Sequence, residues 1–130
     1  MKLNPDCIRD ILFAVEELSG PDSLLTSEQL ANTKFLKNKY SEDEILYHIK
    51  QLDWSGYIKT PKSNRTIDGI YFINDLSPIG HEFISSIRKD NNWNKVKSIS
   101  KEVGSETLSS LKSIAEGVIA SAIKASLGLS

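Results

Sequence analysis

Residues 49–58 read Ile49-Lys50-Gln51-Leu52-Asp53-Trp54-Ser55-Gly56-Tyr57-Ile58, and this stretch decides the fold. Ile49 and Leu52 continue an apolar stripe at helical spacing that begins behind Ser41, a favourable cap. Gly56 ends the helix, because glycine tolerates the positive φ that a tight turn needs. Residues 57–60 then have the composition of a strand. The stretch therefore predicts a helix that turns through a glycine into a strand.

Further elements can be predicted on both sides of this junction. Cap residues predict helix starts at Asn4-Pro5, Thr26-Ser27, Ser41 and Ser77-Pro78. A second β-rich run at 70–73 follows a polar turn, so residues 57–73 predict a β-hairpin with a basic tip. The order helix, helix, helix, hairpin, helix is that of a winged helix-turn-helix domain, in which the hairpin is the wing. Residues 76–83 resemble the segment that follows the wing in such proteins.

The chain also resembles a family of small bacterial and prophage-encoded proteins classed as a domain of unknown function. The matching strings are Met1-Lys-Leu-Asn-Pro-Asp6 with residues 8–12, Tyr40-Ser-Glu-Asp-Glu-Ile-Leu-Tyr-His48, Gly56-Tyr-Ile58, and Gly80-His-Glu-Phe83 with Ile87-Arg88. The resemblance covers nearly the whole chain. It implies a winged-helix fold and phage or mobile-element ancestry, and it implies no activity and no pattern of binding residues.

We therefore expect a mainly α protein with a small β-hairpin. Its winged helix-turn-helix domain spans residues 1–90, and a helical C-terminal extension for packing or oligomerisation spans 91–130. After Gly104, with Ser105 as the expected cap, apolar residues recur at helical spacing along a last helix. Because soluble monomers rarely leave such a face in water, we expect it to pack on its own chain or to form a homodimer or higher even oligomer.

Composition argues against several classes of function. The 130 residues carry a net charge of −1, so nucleic-acid binding would need a local basic patch. One cysteine, Cys7, and two separated histidines, His48 and His81, are too few for a zinc site and assemble no nucleophile–base pair. We expect no enzyme, no cofactor and no metal. The sequence has no signal-peptide pattern and no long apolar run, so we expect a cytoplasmic protein without membrane contact.

The first functional hypothesis is a DNA-binding regulator. The third helix would offer base contacts, and the hairpin and second-helix region would offer phosphate contacts. The candidate DNA-binding residues are Tyr47, Lys50, Gln51, Lys59, Lys62, Arg65 and Lys39. One feature opposes this hypothesis: residues 41–53 hold four acids and one lysine, and the acids at 42–44 would repel phosphate.

The alternative, which stays open, is a protein-interaction module on the same scaffold without DNA binding. Tyr47 and Trp54 lie on the polar face of the third helix, where either the same chain or a second copy covers them, or they anchor a protein partner. Residues 88–101 hold five bases and one acid around Trp93, a pattern typical of a solvated helix face. Under the first hypothesis this segment instead contacts phosphate, together with the hairpin. The candidate interaction and oligomerisation residues are Trp54, Trp93, Leu108, Leu111, Val118 and Ile119.

Overall fold

The structure is a computed structural model that describes residues 1–62 and 69–129. Within those residues the protein is mainly helical, as predicted, and its strands are short and antiparallel. The elements in chain order are α1 (Pro5–Leu18), β1 (Leu25–Thr26), α2 (Ser27–Ala31), α3 (Glu42–Trp54), β2 (Ile58–Lys59), β3 (Phe72–Ile73), β4 (Asp75–Leu76), α4 (Pro78–Ile87), α5 (Asp90–Val103) and α6 (Leu108–Ser126).

Two compact units divide the chain, Met1–His81 and Glu82–Ser130. We call them the N-terminal and C-terminal units. The domain boundary that we predicted at residue 90 lies within the second of them and stays a prediction. In the N-terminal unit, α1 packs against α2, α3 and β4. Its buried core includes Cys7, Ile8, Ile11, Leu12 and Val15 from α1; Leu30 and Leu36; Ile45, Ile49 and Leu52 from α3; and Ile58, Ile73 and Leu76 from the strands.

The first helices begin where the cap residues predicted. Asn4 Oδ1 accepts hydrogen bonds from the backbone N–H groups of Asp6 and Cys7, and Pro5 occupies the first position of α1. Thr26 caps α2 in a reciprocal capping box with Gln29. The second helix is shorter than its apolar pattern indicated, because α2 ends at Ala31 and turns follow up to Tyr40.

The α3 helix begins after Ser41, whose Oγ accepts from the backbone N–H of Glu44. The Glu44 carboxylate reaches across to Asn4 Nδ2, at 3.2 Å. Fully buried His48 makes a second link between the same two helices: its Nε2 accepts from the backbone N–H of Asn4, and its Nδ1 lies 2.7 Å from the carbonyl oxygen of Glu44. This pattern requires the proton on Nδ1. His48 is therefore a packing residue of the core.

Strand pairing differs from the predicted hairpin. We expected residues 70–73 to pair with residues 57–60, but β3 pairs with β1, with Leu25 opposite Ile73. The partner of β2 is β4, with Ile58 opposite Leu76. This register places four apolar side chains in the core, so burial across the sheet determines the pairing rather than nearness along the chain.

The glycine junction forms as the sequence predicted, and α4 closes over it. Gly56 has a φ of 80°, and Ser77 Oγ donates to its carbonyl oxygen at 2.5 Å. The same hydroxyl accepts from the backbone N–H of Gly80 and so caps α4. A Cβ at Gly80 would collide with the carbonyl oxygen of Tyr57. Gly80 therefore permits close contact between α4 and the strand that follows the junction.

The C-terminal unit contains α5 and α6, which pack against each other. Gly104 ends α5 in the left-handed conformation, with a φ of 74°. The cap of α6 is Thr107, whose Oγ1 accepts from the backbone N–H of Ser110, and not Ser105 as we expected. Ser105 instead lies in the connection between α5 and α6, where its carbonyl oxygen accepts a hydrogen bond from Ser100 Oγ at 2.6 Å.

Candidate nucleic-acid interface

Four side chains of α3 share one face of the helix because they recur at spacings of three and four residues: Tyr47, Lys50, Gln51 and Trp54. The first three are half-buried, whereas the Trp54 side chain is 72% exposed. Lys62, near the start of the segment that follows β2, is also exposed. We call these five residues the α3 surface.

A fixed turn at the carboxyl end of α3 carries Trp54. The backbone N–H of Gly56 donates to the carbonyl oxygen of Asp53 at 3.1 Å, and that of Tyr57 donates to the carbonyl oxygen of Leu52 at 2.9 Å. These bonds close the last turn around a left-handed glycine. The indole is therefore presented from an ordered part of the backbone.

Asp53 joins the end of α3 to both ends of the segment 61–70. Its Oδ1 accepts from Thr60 Oγ1 at 2.9 Å, and its Oδ2 accepts from the Tyr71 hydroxyl. Burial, together with this hydrogen bond, raises the pKa of Tyr71 above its ordinary value. Lys62 is two residues after Thr60, so its backbone lies within about 7 Å of the Thr60 backbone.

Acidic residues occupy the opposite end of α3. Glu42 and Asp43 are exposed in the first turn, while the carboxylate of Glu44 is bound to Asn4. At 1.5 Å per residue, Asp43 lies roughly 16 Å from Trp54 along the helix axis. The amino end of α3 thus holds two exposed carboxylates, whereas the carboxyl end presents Lys50 and an aromatic side chain beside the Asp53 carboxylate, which is occupied by two hydroxyl donors.

Two of the predicted basic contacts lie among carboxylates. Lys39 Nζ is 3.2 Å from Asp10 Oδ2, which also accepts from the Tyr40 hydroxyl at 2.7 Å. Burial, followed by this hydrogen bond, raises the pKa of Tyr40 above its ordinary value. Lys59 lines a cleft that also includes Asp22 and Asp75.

The last of the predicted basic contacts, Arg65, lies outside the described residues. The structure thus places Tyr47, Lys50, Gln51 and Trp54 on one face of α3, leaves Lys62 exposed two residues after Thr60, and gives Lys39 and Lys59 acidic neighbours.

The candidate interaction residues of the C-terminal unit fall into two groups. Trp93, Leu108 and Leu111 are buried in the chain. Val118 and Ile119 are half-exposed, and each lines an open groove beside α6.

Sequence reasoning missed the carboxylate of Asp53, because its two hydroxyl partners lie 7 and 18 residues away. The clearest available signal was an acidic residue within the apolar junction 49–58. Cys7 is buried, and burial, with smaller contributions from Glu44 and Asp10, raises the pKa of its thiol to about 12. Among residues 1–62 and 69–129, no cluster of His, Cys, Asp and Glu side chains could hold a metal ion.

In the same described ranges, every helix is too short or too polar to cross a bilayer. The sequence family described as "Hypothetical protein (DUF2513)" matches residues 2–106. An uncharacterized protein from Haemophilus influenzae is 27% identical over 120 residues, which cover 92% of this chain and 96% of that protein. No solved structure matches this chain.

Proposed function

We propose that this chain, which belongs to the DUF2513 family, is a small non-enzymatic regulator that binds nucleic acid through the α3 surface. The observation that carries the proposal is the exposed carboxyl end of α3, where Lys50 and Trp54 lie one helical turn apart on an ordered backbone. Lys62 extends this surface beyond the helix. Descent from a phage or mobile element belongs to the same proposal and rests on the sequence resemblance, and a cytoplasmic location is proposed with it.

A winged helix-turn-helix is the scaffold that we propose for this activity. The element order α1, β1, α2, α3, β2, β3 and β4 supports it, since three helices precede the strands that flank residues 61–70. The antiparallel pairing of β2 with β4 also supports it, because it joins the chain before residues 61–70 to the chain after them, although in another register than the predicted hairpin. In such a domain α3 is the recognition helix and the segment 61–70 is the wing.

The charge distribution favours contact through the carboxyl half of α3. Exposed charges are largely screened beyond a Debye length, about 8 Å at physiological ionic strength. Asp43 is roughly 16 Å from Trp54 along the helix axis, so it repels phosphate at that end only weakly. Phosphate near Glu42 and Asp43 would meet both charges directly. The nucleic acid therefore approaches Lys50, Trp54 and Lys62 rather than the first turn of α3.

A mobility-shift titration across a salt series tests this proposal. Lys50→Ala combined with Lys62→Ala removes two phosphate contacts and should shallow the salt dependence of log K by about 1–2 units. Lys2→Ala combined with Lys124→Ala is the control, because both residues are exposed and lie outside every segment to which phosphate contacts are assigned. Absence of any retardation at low salt, or equal slopes in the two variants, would contradict the proposal.

A second candidate function is a protein-interaction module. The observation that favours it is the exposed Trp54 on the same helix as the exposed carboxylates of Glu42 and Asp43, since aromatic side chains anchor protein interfaces. The absence of a DNA mobility shift at low salt would support this candidate.

We also propose that the chain is a homo-oligomer assembled through α5 and α6. Several large apolar side chains of this pair are exposed: Val103, Ile123 and Leu127. Half-exposed Ile114, Val118 and Ile119 precede Ile123 along α6, and Leu127 follows the end of that helix. A second copy of the chain would cover these apolar side chains with the same apolar side chains of its own α5 and α6.

A further inference from the structure

We infer that the α3 surface binds nucleic acid containing an unpaired base, and that Trp54 stacks on that base. This inference rests on the proposed nucleic-acid binding and specifies its ligand. It assigns to Trp54 a contact with a base face, which is accessible in a single strand or a locally opened duplex.

Trp54 differs from every other aromatic residue in its surroundings. All ten aromatic side chains of the chain fall within the described residues, and Trp54 alone is exposed. The others have partners or are buried: Phe13 stacks on Phe35, the Tyr40 and Tyr71 hydroxyls donate to carboxylates, and Tyr47 meets the edge of His48. The indole of Trp54 therefore offers a face that the fold itself does not use.

The chemistry of the α3 surface fits an unpaired base better than a closed duplex. In a duplex, neighbouring bases cover both faces of each base, and a helix in the groove meets only base edges. An indole presents one N–H donor and two large π faces, so its strongest contact with a base is face to face. Stacking of this kind is the main non-ionic contact of single-strand binders.

A cation, Lys50, lies close enough to Trp54 to hold a flanking phosphate. Lys50 is four residues earlier on the same face of α3, which places the two Cβ atoms about 5–6 Å apart. Lys62 is two residues after Thr60, whose hydroxyl donates to Asp53, the residue before Trp54 in the sequence. Aromatic side chains that stack on bases, combined with cations that follow the backbone, are the combination that single-strand binders use.

Trp54 fluorescence provides a direct test, because the second tryptophan, Trp93, is only 2% exposed. The full chain is titrated at low salt with single-stranded oligo(dT) and with a blunt duplex of equal length. The Trp54→Phe spectrum is subtracted to isolate the emission of Trp54. Oligo(dT) should quench that emission, and the duplex should leave it nearly unchanged.

Affinity measurements on two variants complete the test. Trp54→Leu keeps apolar bulk but removes the aromatic face, and it should weaken oligo(dT) binding about 5- to 150-fold, the range that 1–3 kcal/mol of stacking implies. Trp54→Phe should retain most of the affinity. The double variant Lys50→Ala with Lys62→Ala should lower the affinity for both ligands. It therefore tests the proposed nucleic-acid binding separately from stacking by Trp54.

Three outcomes would overturn the inference. Duplex binding as tight as oligo(dT) binding, with equal affinity in Trp54→Leu, would leave the proposed function standing and remove Trp54 from the contact. No binding of either ligand at low salt would remove the proposed function as well. A concentration-dependent blue shift of Trp54 emission without nucleic acid would assign the indole to a contact between copies of the chain.

Discussion

Single polar residues in the core connect elements that lie far apart in the sequence. His48 receives the backbone N–H of Asn4 and lies against the carbonyl oxygen of Glu44, so one imidazole satisfies groups at the start of two helices. Asn4 in turn caps α1 and contacts the Glu44 carboxylate. A buried network in which every member is paired specifies one packing of α1 on α3.

Replacement of His48 by alanine should therefore be costly. The variant leaves the backbone N–H of Asn4 without its acceptor and creates a cavity, at a combined cost of about 2–4 kcal/mol. His81→Ala is the matched control, because His81 is exposed and such a change typically costs less than about 0.5 kcal/mol. Urea unfolding of both variants measures the difference, and equal losses would contradict the assigned role.

Two helical glycines should respond in opposite directions to the same substitution. Gly80→Ala forces a Cβ against the carbonyl oxygen of Tyr57 and should destabilise by about 1–3 kcal/mol. Gly117→Ala meets open space within α6 and should stabilise by up to about 1 kcal/mol, because alanine has the higher helix propensity. Thermal unfolding of the pair gives the two signs directly, and a stabilising Gly80→Ala would disprove the close contact.

At the scale of elements, hydroxyl–carboxylate pairs join helices to turns. Tyr40 donates to Asp10 of α1, and Tyr71 donates to Asp53 of α3. Burial first, and these hydrogen bonds second, raise the pKa of both tyrosines above the ordinary value. Each pair stabilises the fold only while its tyrosine is protonated.

Alkaline pH should consequently weaken the fold. Tyrosines of the unfolded chain ionise near pH 10, while folded Tyr40 and Tyr71 keep their protons, so their contribution is complete below about pH 10 and is lost as the pH rises above it. The free energy of unfolding should fall over that range. Tyr40→Phe with Tyr71→Phe should flatten the fall, whereas Tyr47→Phe should not.

All variants in this comparison keep Cys7. The raised pKa of its buried thiol also makes the folded state less stable as the pH rises, and this effect begins at a lower pH than the effect of the tyrosines. Urea unfolding at a series of pH values measures the slope, and equal slopes in all variants would contradict the role of the pairs.

Helix starts could be predicted from the sequence to within a residue at most positions, because a cap is a local interaction. Asn4, Thr26, Ser41 and Ser77 each accept from an N–H two or three residues ahead. The α6 start failed by two residues because Ser105 and Thr107 are both chemically suitable caps. Strand pairing could not be read locally, since two-residue strands carry too little periodicity to fix their register.

The same difference between local and long-range interactions applies to the candidate site. Helical spacing placed Tyr47, Lys50, Gln51 and Trp54 on one face, because spacing alone determines which residues of a helix are neighbours. The environment of each lysine could not be predicted in this way. Lys39 has Asp10 as its partner, 29 residues away in sequence.

For the whole molecule, the exposed face of α6 leads to a prediction about self-association. We expect a dimer or higher even oligomer in light scattering at micromolar concentration. Val118→Glu with Ile123→Glu should yield monomers, because burying an unpaired carboxylate costs several kcal/mol. Ser109→Glu with Ala120→Glu adds the same charge at exposed positions of α6 and should leave the assembly intact. A monomeric unsubstituted chain would contradict the oligomer proposal.

The carboxylate of Asp53 has a practical consequence for protein engineering. The hydroxyls of Thr60 and Tyr71 donate to the same carboxylate, so the two ends of the ten-residue segment between them are held together. Doubling its length should cost only about 0.6 kcal/mol in closure entropy. The scaffold should therefore accept foreign peptides or a reporter tag between Thr60 and Tyr71 while the helices remain unaltered.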